Sequence, residues 1–237
     1  MSRALYQRRI AALRKIISRS RPPTRSRVKA LLSWLATLRN AHRERTTRVP
    51  LTKLPDWVFD QTRGIVRHKA GKNKFFTVEG LIVERALGRE VTTWNQPILI
   101  QKEGGVLAIF CQKQHGQMKF LLQARFEPGN IHAIQLAPSL QATFSNLMRH
   151  HRGTEPPLAE WLTHPSTTCV YKARHNEEGA RFFRKSNTNM LMLIDPTVQL
   201  PLPDDTHYRW FTLPEIQTLM LFDHVINPYV KTILAPL

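Results

Sequence analysis

The chain has 237 residues, 42% of them hydrophobic, which is enough to bury a core, and its longest apolar runs fall well short of a helical membrane span. Its formal charge of +18 is unevenly spread: residues 1–49 hold fourteen of the thirty-five Lys and Arg but one of the seventeen acids, Glu44, so the remainder is only mildly basic. Cys111 and Cys169 stand far apart, which excludes a disulfide framework or a cysteine metal site and points to a reducing, cytoplasmic setting.

Leu5, Ile10, Leu13 and Ile17 recur at helical spacing with arginines between them. Arg21-Pro22-Pro23 breaks that helix, and Ser26 is placed to cap a second one with Val28, Leu31, Leu32, Leu35 and Leu38 on one face and Trp34 beside it. Such amphipathic helices pack on the body of a protein or on another subunit. The Arg-rich, acid-poor composition also resembles a transit peptide, without the apolar core of a secretory signal. No aromatic residues interleave with the basic ones as a stacking platform for nucleic acid would require, so nucleic acid is not expected as a partner.

From Leu51 the pattern shifts to short strands: Phe75–Val78, Pro97–Ile100, Val106–Phe110, Lys119–Leu122 and Met190–Ile194, with His115-Gly116 as a hairpin turn between the third and fourth. Helices are expected around Glu160-Trp161-Leu162 and from Leu213 to Leu221, where Pro214 suits a first turn. The reading is α+β: a mixed, largely antiparallel sheet with flanking helices, preceded by a basic helical arm (1–49) and occupying residues 50–237 as one unit. Directly after the apolar run Phe120-Leu121-Leu122 come two polar clusters, Gln123-Ala124-Arg125-Phe126-Glu127-Pro128-Gly129-Asn130 and Ala137-Pro138-Ser139-Leu140-Gln141-Ala142-Thr143-Phe144-Ser145-Asn146. Polar groups so close to a core strand need partners, which makes this stretch the candidate ligand pocket.

These clusters resemble the NDP-hexose 2,3-dehydratase family, whose pattern reads Gln-Ala-Lys-x-Glu-Pro-Gly-Asn followed by Ser-Pro-Thr-x-Gln-Ala-Thr-x-Ser-Asn. Arg125 stands in place of the Lys, and Ala137 and Ser139 are conservative changes. The likeness continues through His151-Arg152-Gly153, Glu178-Gly179-Ala180-Arg181-Phe182, Arg184 to Met190, Arg209 to Leu213 and Val225-Ile226-Asn227. Upstream it takes in Trp57, His68, Gly71, Phe75-Phe76, Gly80 and Trp94-x-Gln96-Pro97, so it reaches back to about Trp34. Ser186 and Thr188 stand where the family usually has further arginines.

The resemblance implies a Nudix-like fold and loss of water across C2 and C3 of a nucleotide-linked 4-keto-6-deoxyhexose in deoxysugar biosynthesis, with no cofactor and no metal. Family members look like tandem duplications of this unit, so a single copy implies a homodimer, or else a nucleotide-sugar-binding half-subunit without catalysis. A base must take the C3 proton, donors must hold the C4 oxygen, and cations must cradle the diphosphate. The expected reacting groups are Glu127, Gln141 and His151. The expected substrate contacts are Trp94, Gln123, Arg125, Asn130, Thr143, Ser145, Asn146, Arg181, Lys185, Asn187 and Asn189. A Nudix-type metal hydrolase is disfavoured, because Glu177-Glu178-Gly179 lacks the Arg-Glu pair and spacing that such a site uses.

Overall fold

The computed structural model describes residues 2–71, 75–85, 87–88, 90–148, 155–177, 179 and 181–237. In chain order the elements are α1 (Arg3–Ile17), α2 (Arg25–Ala41), β1 (Trp57–Asp60), β2 (Ile65–His68), β3 (Thr77–Val83), β4 (Trp94–Ile100), β5 (Gly105–Gln114), β6 (Gln117–Phe126), β7 (Ile134–Pro138), β8 (Leu140–Thr143), α3 (Phe144–Leu147), β9 (Thr167–Asn176), β10 (Ser186–Ile194), β11 (Tyr208–Thr212), α4 (Leu213–Leu219) and α5 (Pro228–Leu234). Two compact units result: a larger one of 1–45, 105–175 and 188–237, and a smaller one of 46–104 and 176–187. Residues 1–45 fall within the larger unit.

The larger unit is built on a seven-stranded sheet ordered β11-β6-β5-β10-β9, with β7 on β6 and β8 on β5. β5 and β6 form an antiparallel hairpin closed by His115 and Gly116, both at positive φ, between Gln114 and Gln117. Two left-handed residues match the twist of a tight hairpin, and glycine adopts that conformation without penalty. β10 runs parallel to β5, from Thr188 opposite Val106 to Ile194 opposite Gln112. The first eight residues of β5 are all buried, because Leu107, Ile109 and Cys111 enter one apolar cluster while Val106, Ala108 and Phe110 enter another. A strand covered on both faces reads as an unbroken apolar run rather than as an alternation.

β5 and β6 pair only from Cys111 opposite Phe120 outward. Beyond that point they part, and the β7–β8 segment enters the gap, β7 pairing with β6 and β8 with β5. Ser139 sits at the fork: its Oγ accepts from the Phe110 N–H (3.1 Å) and donates to the Leu121 carbonyl (2.5 Å). A buried hydroxyl thus satisfies two main-chain groups that the divergence would leave orphaned.

The N-terminal helices are part of this core. Leu13, Leu31, Leu35 and Leu38 are buried in the same cluster as Ile109, Phe120 and Leu191, each contributing about 1.5–3 kcal/mol by removal from water. Thr24 caps α2 in place of the expected Ser26, because its side chain accepts from the Arg27 N–H and Ser26 lies inside the first turn. The arginines of α1 and α2 bond carbonyls of the body: Arg9 to Cys169, Arg14 to Pro236 (2.7 Å), and Arg39 to Ile134 (3.0 Å) and His224 (2.5 Å). Arg27 reaches Glu215 at 2.6 Å, while Glu215 and Thr212 form a reciprocal capping box that starts α4. Around Glu160 the expected helix is a single 3-10 turn, Ala159–Leu162.

The smaller unit carries an antiparallel sheet ordered β1-β2-β3-β4. Its strand begins at Thr77 and not at Phe75, because Phe75 and Phe76 are drawn into ring contacts: His68 with Phe75 at 4.2 Å and Trp57 with Phe76 at 4.8 Å. Pro97 lies opposite Gly80 on the outer strand β4, where a residue without an N–H leaves no inner ladder incomplete.

Candidate functional site

Within the larger unit, the end of β6 and the turn after it gather four of the expected residues. Glu127 Oε1 accepts from Arg125 Nε at 2.7 Å and from Gln141 Nε2 at 3.3 Å, and Arg125 Nη1 lies 3.5 Å from Gln123 Oε1. The wedge geometry brings them together, since Gln141 is on β8 and Arg125 on β6. β8 approaches closely because Gly105 faces Thr143: a Cβ on Gly105 would sit 2.5 Å from the Ala142 carbonyl oxygen. Gln141, Leu107 and Asn189 stand in register across β8, β5 and β10. Gln141 Oε1 and Asn189 Oδ1 are buried oxygens that take no hydrogen bond from any described residue, an arrangement that leaves two acceptors for a bound hydroxyl or water.

Asn130 closes the turn itself, its N–H donating to the Glu127 carbonyl and its Nδ2 to that of Ala133, each at 3.0 Å. Thr143 caps the short α3 by accepting from the Asn146 N–H, and its Oγ1 lies 3.1 Å from Ser145 Oγ. These four hydrogen bonds are local. His151 lies outside the described residues.

A cavity of about 900 Å³ opens beside this network. Gln123 to Phe126 form one wall, the end of α2 with His42, Arg43 and Glu44 a second, and Asp204, Thr206 and His207 ahead of β11 a third. Clefts of this size with a few converging polar groups are the usual form of small-molecule sites. Sequence reading missed the second and third walls. The 160-odd residues that separate α2 from His207 carry no pattern linking them, although the Asp204-to-His207 spacing was visible. Burial pushes the Tyr208 hydroxyl up to about 12, with Arg125 opposing the shift and Asp204 adding to it, so the ring beside this wall stays neutral.

The other expected residues lie in the smaller unit. Lys185 Nζ donates to Gln101 Oε1 at 2.8 Å, stands 3.5 Å from Glu177 Oε2 and lies 4.3 Å above the Phe182 ring. Asn187 Nδ2 donates to the same Glu177 oxygen. Trp94 Nε1 donates to Gln96 at 2.8 Å, and Arg181 has an exposed side chain while its carbonyl accepts from the Leu99 N–H. Among the described residues, no three His, Cys, Asp or Glu side chains converge as a metal site would need. No helix of the described residues is long and apolar enough to cross a membrane.

The profile of the NDP-hexose 2,3-dehydratase family matches residues 28–237. A dTDP-4-dehydro-6-deoxy-alpha-D-glucopyranose 2,3-dehydratase of Amycolatopsis orientalis is 36% identical over 214 residues, 88% of this chain and 44% of that protein. A protein of the same description from Saccharopolyspora spinosa is 36% identical over 203 residues, covering 85% and 40%. The chain therefore spans under half the length of these relatives. Among solved structures, an Ap4A hydrolase from C. elegans aligns with 56% of this chain and 94% of its own at 12% identity and a TM-score of 0.35.

Proposed function

The chain belongs to the NDP-hexose 2,3-dehydratase family, and on that premise we propose that it is a hydro-lyase removing water across C2 and C3 of a nucleotide-linked 4-keto-6-deoxyhexose. The observation that carries this reading is the Gln123–Arg125–Glu127–Gln141 network, partly lining a cavity of suitable size, in a chain matched by the family over residues 28–237. The substrate's C3 proton is acidified by the neighbouring C4 ketone, so the protein must stabilise an enolate oxygen and let a hydroxyl go. Arg125 supplies a planar cation for that oxygen or for the diphosphate. Gln141 adds a neutral amide, and Glu127 holds both donors in place.

A second reading is a nucleotide-sugar-binding half-subunit without catalysis, favoured by Glu127 Oε1 being tied to Arg125 and Gln141, which occupies the carboxylate oxygen that would otherwise act as base. In the first reading the chain works as a homodimer in a reducing cytoplasm, where Cys111 and Cys169 stay thiols. The decisive experiment incubates the purified chain with dTDP-4-keto-6-deoxyglucose and follows the loss of one water by mass spectrometry, with calorimetric titration of binding and gel filtration alongside. Turnover that falls by about 10²-fold in Arg125→Ala supports the dehydratase. Binding without turnover selects the half-subunit, and absence of both removes the proposal.

A further inference from the structure

We propose that His207, held by Asp204, is the acid–base group of the dehydration; the inference rests on the dehydratase reading and assigns its proton-transfer step. His207 lines the cavity together with Gln123 and Arg125. Its place there is fixed by main chain: Ala124 N–H donates to the His207 carbonyl at 2.7 Å, and the next pair, Tyr208 opposite Gln123, begins the β11–β6 ladder. The imidazole is thereby tied directly across from the residues that precede Arg125.

Its ring is oriented as well. Asp204 Oδ1 accepts the His207 N–H at 2.5 Å and lies 3.1 Å from ring Nδ1. A carboxylate only accepts, so Nδ1 carries the hydrogen and the lone pair of the neutral ring is on Nε2. No described residue bonds Nε2. Glu127, by contrast, already has Oε1 engaged by two donors. Two imidazoles line this space, those of His42 and His207. His42 Nδ1 stands 3.5 Å from Glu44 Oε2. His207 is held closer, at 3.1 Å, by a carboxylate that also fixes its main-chain N–H, so it is the more firmly oriented base.

The step balances without a further reactant. Nε2 takes the C3 proton, the C3–H electron pair becomes the C3–C4 double bond of an enolate, and the carbonyl pair moves to O4 beside Arg125. The enolate then reforms the ketone, its carbon–carbon pair shifts to C2–C3, and the C2–O bond breaks. The imidazolium returns its proton to the departing hydroxyl, giving water and a neutral ring. Asp204 acts as a positioning residue for this cycle.

The test uses the full chain and dTDP-4-keto-6-deoxyglucose in D2O, reading water loss by mass spectrometry and deuterium entry at C3 by NMR. With wild-type turnover in hand, His207→Gln is expected to lower kcat by about 10²-fold or more and to abolish C3 exchange while calorimetric binding persists. Asp204→Asn is expected to lower kcat about tenfold with KM unchanged, and Asp204→Glu to recover part of it. An active wild type whose His207→Gln variant keeps its kcat within about twofold overturns the assignment and leaves the dehydratase reading standing, as does loss of exchange confined to His151→Gln. A wild type that binds substrate yet neither exchanges nor dehydrates it overturns both.

Discussion

The two units are held together by different means. The larger one buries whole side chains on both faces of a central sheet, with Phe110, Phe120, Phe211, Leu121 and Leu191 all below 2% exposure. The smaller one buries only Ile98, Thr77 and Asn187 among its described residues, and relies on half-covered aromatic rings and antiparallel ladders. Its sheet even leaves Phe59 and Ile82 at 63% and 77% exposure. Since buried apolar area is the dominant favourable term, the larger unit sets the global stability and the smaller one is the region that opens first.

The widest test of that contrast removes one ring from each unit. Phe120→Ala empties a fully buried site and is expected to cost about 3–5 kcal/mol. Phe76→Ala, in a half-covered cluster, is expected to cost about 1–2 kcal/mol. Urea denaturation of both variants measures the gap, and equal losses would erase the distinction between the units.

Next in size is the clamp between the N-terminal helices and the body. Glu215→Ala deletes the capping box and leaves the buried Thr212 N–H without its acceptor, an expected loss of about 2–4 kcal/mol. Burial pushes the Glu215 carboxyl up, but the bond from Arg27, the Thr212 N–H and the charges of Arg27 and Lys119 outweigh it, so the group titrates below its ordinary value. A carboxyl depressed in the folded state gives its full stabilisation above its unfolded pKa, about 4.3, and loses it as pH falls through the lower folded value. Acid unfolding of wild type should therefore show a stability drop below about pH 4.3 that Glu215→Ala has already lost. A parallel pH dependence in the two proteins would show that this carboxylate contributes nothing.

The smallest effect is at the strand fork. Ser139→Ala removes the hydroxyl shared by Phe110 and Leu121 and is expected to cost about 1–3 kcal/mol. A neutral result would mean that the two strands close on each other without it.

Several resemblance-bearing residues also have a structural part to play. Trp57, His68, Phe75 and Phe76 form the ring cluster of the smaller unit. Asn227 caps α5, and its N–H bonds the Leu136 carbonyl. Asn130 and Thr143, expected at the substrate, hold a turn and a helix end.

The amino-acid order alone announced β5, β6 and β10, because strands buried on both faces are unbroken apolar runs, and it announced their hairpin through His115-Gly116. It also marked Gln123 to Asn146 as chemically dense. It could not announce β7 and β8, since the wedge between diverging strands takes its hydrogen bonds from residues outside its own segment. Nor could it assemble the cavity, whose walls come from the end of α2, from β6 and from the approach to β11. Periodicity reports a residue's own environment, whereas a site is a distance between residues remote in the chain, and only the folded packing sets that distance.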